Sequence, residues 1–173
     1  MFNLYNVFDN PQTLPYYKEL APNMRMLKTL YDYADDGLDD DEDEYVELTP
    51  EMLEPVIHLI ARSPKLAMMY AIIVLDDRWP PGEPAIATSI EFSLDYIASA
   101  LAGNPDWPYE SGRWPAAEPH IMKDAETALA YVIQVLSEEP TWPHPNGRWP
   151  EAEPYIKKHE QAWQEYKNHV GLA

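Results

Sequence analysis

The sequence of 173 residues contains no cysteine and few basic side chains, with 12 lysines and arginines against 30 aspartates and glutamates. Without cysteine the chain can form neither a disulfide nor a thiolate metal site, which is typical of proteins in a reducing cytoplasm. The formal net charge of -18 disfavours direct attraction to nucleic acid or anionic lipid, because both carry the same sign. We therefore expect a partner with a basic protein surface, the alternative being that the charge serves solubility alone.

The sequence also lacks a long apolar run and the common catalytic motifs. No stretch approaches the roughly 20 apolar residues that cross a bilayer, and the first residues, MFNLYNVFDNPQ, have no features of a signal peptide. The five histidines show no metal-ligand spacing, and no P-loop, GxGxxG or GxSxG motif is present. We expect a cytoplasmic protein that is not an enzyme, with no cofactor, no bound metal, no membrane contact and no direct contact with nucleic acid.

The tripeptide Arg-Trp-Pro occurs three times, and its tryptophans, Trp79, Trp114 and Trp149, are 35 residues apart. Each copy is followed at a fixed offset by Glu-Pro, as in RWPPGEPAI, GRWPAAEPHI and GRWPEAEPYI, whereas a degenerate copy, TPEMLEPVI, lacks the Arg-Trp. Fixed periods of 20 to 50 residues are typical of stacked supersecondary units. The sequence therefore predicts four repeats, over residues 49-76, 77-111, 112-146 and 147-173.

Each repeat is predicted to contain two helices. The first would begin at Pro50, Pro80, Pro115 or Pro150, because proline lacks an N–H that the first helical turn leaves unbonded. The second would begin after a capping residue, and a tyrosine follows seven residues after each cap. These caps and tyrosines are Ser63 and Tyr70, Ser89 and Tyr96, Asp124 and Tyr131, and His159 and Tyr166.

An apolar stripe on the second helices is predicted to be buried between repeats. In the second repeat it comprises Ile90, Leu94, Ile97 and Leu101, whereas the last repeat has polar residues or glycine at all four corresponding positions. Such a change is expected where a stack ends. The predicted fold is all-α, an α-solenoid-like stack of about four helix pairs at 49-173 with an N-terminal helical cap.

The N-terminal segment, residues 1-48, contains an acidic run that is predicted to bind a basic partner. The alternatives are a disordered acidic loop and a calcium loop of the EF-hand type around Gly37, in which Ala34 would stand at a ligand position and Asp43 would replace the bidentate glutamate. The eight carboxylates of the run are Asp35, Asp36, Asp39, Asp40, Asp41, Glu42, Asp43 and Glu44.

Each Arg-Trp-Pro motif places a guanidinium and a carboxylate five residues apart. We interpret these residues as structural, because a glutamate in the first turn of a helix favours the helix dipole and can pair with the preceding arginine. A catalytic centre is not usually copied three times with one spacing. The residues concerned are Arg78, Trp79 and Glu83, Arg113, Trp114 and Glu118, and Arg148, Trp149 and Glu153.

Two corresponding loops, GNPDWPYESG and EEPTWPHPNG, join the later repeats. Loops on repeat scaffolds carry function and tryptophan is a common hot-spot residue, so we predict partner contacts from Trp107, Tyr109, Trp142 and His144. The alternative is that each tryptophan covers the neighbouring helix pair.

The strings GRWPEAEPYI and GRWPAAEPHIMKD resemble a family of short helical repeats, typically of the form GRWPEAEPYIxKDPxxAYxYAxxV, found mainly in proteins of tailed bacteriophages and some bacteria. The resemblance covers about residues 49-171 and brings no catalytic residues. It implies a two-helix repeat and a phage protein acting in the host cytoplasm. Together with the charge, it favours an inhibitor of a host defence or nucleic-acid-processing protein that acts by nucleic-acid mimicry. The alternatives are a structural or self-associating assembly protein and, as a third class, an enzyme or sugar binder that uses the loop tryptophans.

Overall fold

The computed structural model describes residues 49–172, and these residues form helices joined by turns, with no strand among them. The predicted all-α class is therefore confirmed for this part of the chain. Predictions on residues 1-48, namely the helical cap, the acidic run and the EF-hand alternative, lie outside the described residues. In chain order the α-helices are α1 Pro50–Leu53, α2 Ile57–Ile60, α3 Pro64–Met69, α4 Glu83–Ile86, α5 Ile90–Tyr96, α6 Glu118–Ile121, α7 Ala125–Tyr131, α8 Glu153–Ile156 and α9 Glu160–Val170.

The short helices α4, α6 and α8 begin three residues later than predicted. Helix α6 begins at Glu118 rather than at Pro115, and a turn in which the Trp114 carbonyl accepts from the N–H of Ala117 comes first. The reason is the second proline, because Pro119 has no N–H to donate to the Pro115 carbonyl and is accommodated only in the first turn of a helix. The prediction was therefore wrong for Pro80, Pro115 and Pro150, and correct for Pro50.

The second helices begin at the predicted caps. Each cap has an extended backbone, and its side chain accepts a hydrogen bond from the N–H three residues further on, which satisfies a donor that the first turn leaves free. The donor–acceptor distances are 3.4 Å at Ser63, 3.3 Å at Ser89, 2.9 Å at Asp124 and 3.3 Å at His159.

Three of the second helices widen after their last α-helical residues. The π-helical segments that follow are Tyr70–Leu75, Ile97–Leu101 and Val132–Leu136. Helix α9 instead stays α-helical to Val170 and ends at Gly171, which adopts a left-handed conformation. The second helix of the fourth repeat thus differs in backbone geometry from the second helices of the first three repeats.

Equivalent helices contact one another in chain order: α3 with α5, α5 with α7, and α7 with α9. Each of α4, α6 and α8 contacts the second helix of the repeat before it. The core lies between these helices, where Ile97 and Leu101 of the predicted stripe are almost fully buried. Ile90, the first residue of α5, is 36% exposed, so the stripe reaches the surface at this end of the helix. The stripe is therefore buried over its second half only.

Candidate functional site

Each of the three Arg-Trp-Pro motifs takes part in the same hydrogen-bonded network. In the third repeat, Arg113 donates to Glu118 Oε1 at 2.8 Å and the Tyr131 hydroxyl donates to the same oxygen at 3.2 Å. The backbone N–H of Trp114 donates to the Tyr131 hydroxyl at 2.9 Å. The corresponding residues are Arg78, Trp79, Glu83 and Tyr96 in the second repeat, and Arg148, Trp149, Glu153 and Tyr166 in the fourth.

The rings of the same residues couple neighbouring repeats. Each tryptophan is buried and contacts the tyrosine of the repeat before its own. A tyrosine such as Tyr131 therefore bonds through its hydroxyl within its repeat and packs through its ring against the next. The centroid distances are 4.6 Å for Tyr70 and Trp79, 5.3 Å for Tyr96 and Trp114, and 5.4 Å for Tyr131 and Trp149.

The electrostatics of the network favour neutral tyrosines beside ion pairs. Burial raises the pKa of Tyr166 to about 12, and burial is also the main cause that raises the pKa of Tyr96 and Tyr131. Burial disfavours the charged form of Glu153, but hydrogen bonds from Arg148 and Lys157 outweigh it and hold the pKa of that carboxyl below its usual value. The polar groups of each network are thus directed at one another, which supports the structural interpretation.

The two Trp-Pro loops pack back onto the repeats and form a ladder. The indole N–H of Trp107 donates to the Arg113 carbonyl at 3.0 Å, and that of Trp142 donates to the Arg148 carbonyl at 2.9 Å. The Arg78 guanidinium lies 4.6 Å from the Trp107 ring, and the Arg113 guanidinium lies 4.7 Å from the Trp142 ring. Arginines and tryptophans therefore alternate from Arg78 to Arg148, which supports the packing alternative for the tryptophans.

The other two predicted loop residues lie beside the tryptophans of their own loops. Tyr109 and Trp107 are edge-on with centroids 6.3 Å apart, and His144 and Trp142 are edge-on at 6.0 Å. All four residues are partly exposed. Their proposed contact with a partner stays a prediction.

Glu139 is a buried charged residue that sequence reasoning missed. It is 5% exposed, and its carboxylate accepts from the Ser111 hydroxyl at 2.7 Å and from the Thr141 N–H at 3.1 Å. Burial would raise its pKa, but hydrogen bonds from the Thr141 hydroxyl, the Ser111 hydroxyl and the Thr141 N–H hold the pKa of Glu139 below its usual value. Because Ser111 belongs to the first Trp-Pro loop, Glu139 joins the two loops. Aligning the two loop sequences pairs Glu139 with Asn104, and this was the sequence signal that could have drawn attention to Glu139. In the structure the Asn104 side chain likewise accepts a hydrogen bond from the N–H two residues further on.

The described residues show no arrangement of three or more histidine, aspartate or glutamate side chains suited to a metal ion. Over the same part of the chain, no helix is long and apolar enough to span a bilayer. In comparisons with known proteins, no family model, curated sequence or solved structure matches this chain.

Proposed function

We propose that this protein is a non-enzymatic helical-repeat protein that binds a basic surface of another protein. The observation that carries the proposal is the distribution of charge. Residues 49–172 contain 18 acidic and nine basic side chains, so half of the formal net charge of -18 lies on the described helices and turns. Three of the nine basic side chains are network arginines that already pair with glutamates. The remaining surface is strongly acidic and attracts basic partners.

Two observations support an α-solenoid-like stack as the architecture of this binding protein. Equivalent helices contact each other in chain order, and a tyrosine–tryptophan contact recurs at each of three successive junctions. A stack of this kind presents an extended surface made of equivalent positions, which is the usual binding surface of repeat proteins.

The resemblance to phage repeat proteins supports a target in a bacterial host. The eight carboxylates at 35-44 would act with those of the helical faces in place of phosphates, and would compete for the nucleic-acid-binding face of a host defence or processing protein. Trp107 and Trp142 would add contacts at the edge of that surface. Inhibition would follow from the exclusion of nucleic acid.

The proposal is tested by a pull-down with the tagged full-length chain from nuclease-treated bacterial lysate, washed at about 50 mM and about 200 mM salt. We expect capture of a basic nucleic-acid-binding protein at the lower salt, identified by mass spectrometry. A variant with the eight acids of 35-44 replaced by their amides should lose the protein. A control variant with eight other exposed acids replaced by amides should lose it less; these are Glu51, Glu54, Asp76, Asp106, Glu110, Glu138, Glu151 and Glu160. Recovery of the bait alone contradicts the proposal in that host.

Self-assembly is the second candidate, and exposed apolar side chains favour it. Ile73, Ile90 and Ile133 are the large hydrophobic residues that stand out at the described surface, with exposures of 44%, 36% and 41%. Sedimentation over a range of protein concentrations would reveal a salt-insensitive oligomer if this candidate is correct. A monomer at all concentrations would contradict it.

A further inference from the structure

Two grooves lie between second helices of successive repeats. The first groove has a volume of about 300 Å³ and lies where α3 and its π-helical segment meet α5. The second groove has a volume of about 440 Å³ and lies where α7 and its π-helical segment meet α9. Both are open to the surface rather than enclosed in the core.

The two grooves occupy corresponding positions of the repeat. Counted from the cap of the earlier helix, Met68 and Ile72 of the first groove correspond to Leu129 and Ile133 of the second. Counted from the cap of the later helix, Asp95 corresponds to Glu165. Each groove is thus a product of the repeat itself, formed by the same positions in two different helix pairs.

Each groove is lined by both apolar and acidic side chains. Ile73 in the first groove and Ile133 in the second are both more than 40% exposed, which is unusual for isoleucine. The first groove is flanked by Glu91 and Asp95, and the second by Glu126 and Glu165, all four of them exposed. Lys65 and His159 also line the grooves, one in each, so carboxylates are in the majority in both.

We propose that this face, which we call the groove face, binds a basic amphipathic helix of the partner protein. A groove between two packed helices accepts the side-chain ridge of a third helix, and apolar anchors at i, i+3, i+4 and i+7 would enter it. Lysines or arginines that flank those anchors would meet Glu91 and Asp95 in one groove, or Glu126 and Glu165 in the other. This inference rests on the proposed function and assigns a site and a partner chemistry to it.

The test uses the full-length chain and two synthetic peptides of leucine and lysine with identical composition. One peptide places leucines at helical spacing, and the other has the same residues in an order without helical periodicity. Affinity is measured by fluorescence anisotropy at low and moderate salt, with circular dichroism to verify that each variant is folded. We expect the amphipathic peptide to bind about tenfold more tightly than the scrambled one, because only its leucines can enter the grooves together.

Two groove variants and one matched control locate the binding site. Ile73→Asn with Ile133→Asn should weaken the amphipathic peptide about tenfold and leave the scrambled peptide unchanged. Neutralising all four groove acids, by Glu91→Gln, Asp95→Asn, Glu126→Gln and Glu165→Gln, should weaken it clearly more than a control that removes the same charge from four exposed positions outside the grooves, by Glu54→Gln, Glu110→Gln, Glu138→Gln and Glu151→Gln.

The outcomes separate this inference from the proposed function. Equal binding of both peptides, or equal weakening by the groove-acid variant and its control, would overturn the groove face and leave a general acidic surface that still binds basic proteins. Binding of neither peptide would overturn both. A dimer of the wild-type chain that the isoleucine variants abolish, without any peptide binding, would show that a second copy occupies the grooves and would also overturn the inference.

Discussion

The third and fourth repeats share the same network but differ in the second half of their second helices. In the third repeat, Val132 and Leu136 are buried in a π-helical segment. In the fourth, Lys167 and Gly171 stand at those positions, and α9 ends at Gly171 as a regular α-helix. Even so, Leu172 N–H donates to the Lys167 carbonyl at 2.9 Å, just as Ser137 N–H donates to the Val132 carbonyl at 3.0 Å.

This comparison separates two sets of residues in the repeat: the network residues and the residues that follow the tyrosine. The network residues join the two helices of one repeat, and they are unchanged at the end of the chain of repeats. The residues after the tyrosine differ between the repeats, because Lys167 and Gly171 replace the buried Val132 and Leu136, whereas Val170 is still buried. The predictions below are designed to disturb one set without the other.

The largest effect is expected from Trp114→Ala, which removes a buried indole from the junction of the second and third repeats. Loss of a buried tryptophan costs about 3–5 kcal/mol. Trp149→Ala should instead release the last repeat while the earlier ones stay folded. Hydrogen exchange should show lost protection over 112–172 in the first variant and mainly over 147–172 in the second. The same pattern in both variants would contradict the separation of the two junctions.

Two glycines with positive φ offer a matched pair of substitutions. A Cβ at Gly147, where φ is 68°, would lie 2.7 Å from the backbone nitrogen of Ser137, so Gly147→Ala should cost about 2–4 kcal/mol. At Gly171, where φ is 74°, the nearest atom is 4.0 Å away, so Gly171→Ala should cost only about 1 kcal/mol for the backbone conformation. Urea unfolding measures both values, and equal costs would show that the contact at Gly147 relaxes.

Alkaline pH should destabilise the protein through the network tyrosines. Their pKa values are raised above the ordinary value of 10.0 in the folded state. Above pH 10 the unfolded chain therefore binds fewer protons than the folded one, and the free energy of unfolding falls as pH rises. Each tyrosine contributes up to about 1.4 kcal/mol per pH unit.

Urea midpoints between pH 8 and pH 12 measure this slope. Tyr131→Phe and Tyr166→Phe should each reduce the slope by about a quarter to a third, since each removes one of the three network tyrosines, and burial raises the pKa of Tyr70 as well. A slope that is unchanged in both variants would mean that other groups titrate in this range.

The smallest effect is expected at the helix caps. Asp124→Ala removes an acceptor 2.9 Å from the Thr127 N–H together with a charge that favours the helix dipole, and should cost about 1 kcal/mol. His159→Ala removes a longer bond of 3.3 Å and should cost less. Thermal unfolding at neutral pH distinguishes the two, and a larger loss at His159 would contradict this ranking.

Local signals predicted much of the fold. The all-α class, the four caps and the two registers of tryptophan and tyrosine could be read from the sequence, because each depends on residues close together in the chain. The hydrogen bond from Trp114 N–H to the Tyr131 hydroxyl could not be read in this way. It depends on how two helices are placed against each other, and sequence spacing does not determine that placement.

Other features were missed for different reasons. The late start of α6 follows from the missing N–H of Pro119, whereas the prediction placed the start of the helix at Pro115. In the sequence Glu139 belongs to a Pro-rich loop and would be expected at the surface. In the structure the loop folds back, and the Ser111 hydroxyl donates a hydrogen bond to Glu139. The grooves need the packing of helices from different repeats, so the helical periodicity of one repeat does not reveal them.

The most direct test of a structural motif with a separate binding face compares Glu118→Gln with the pair Ile73→Asn and Ile133→Asn, which alters both grooves. Urea stability and affinity for the amphipathic peptide are measured on the same samples. Glu118 accepts from Arg113 and Tyr131 in the network, so its variant should lose about 2 kcal/mol of stability and bind the peptide normally while folded. The groove pair should keep its stability, because both isoleucines are more than 40% exposed, and should bind the peptide about tenfold more weakly. The reverse result, with weaker binding in Glu118→Gln and lower stability in the groove pair, would contradict the conclusion that the Arg-Trp-Pro network is structural and that the groove face is a separate binding surface.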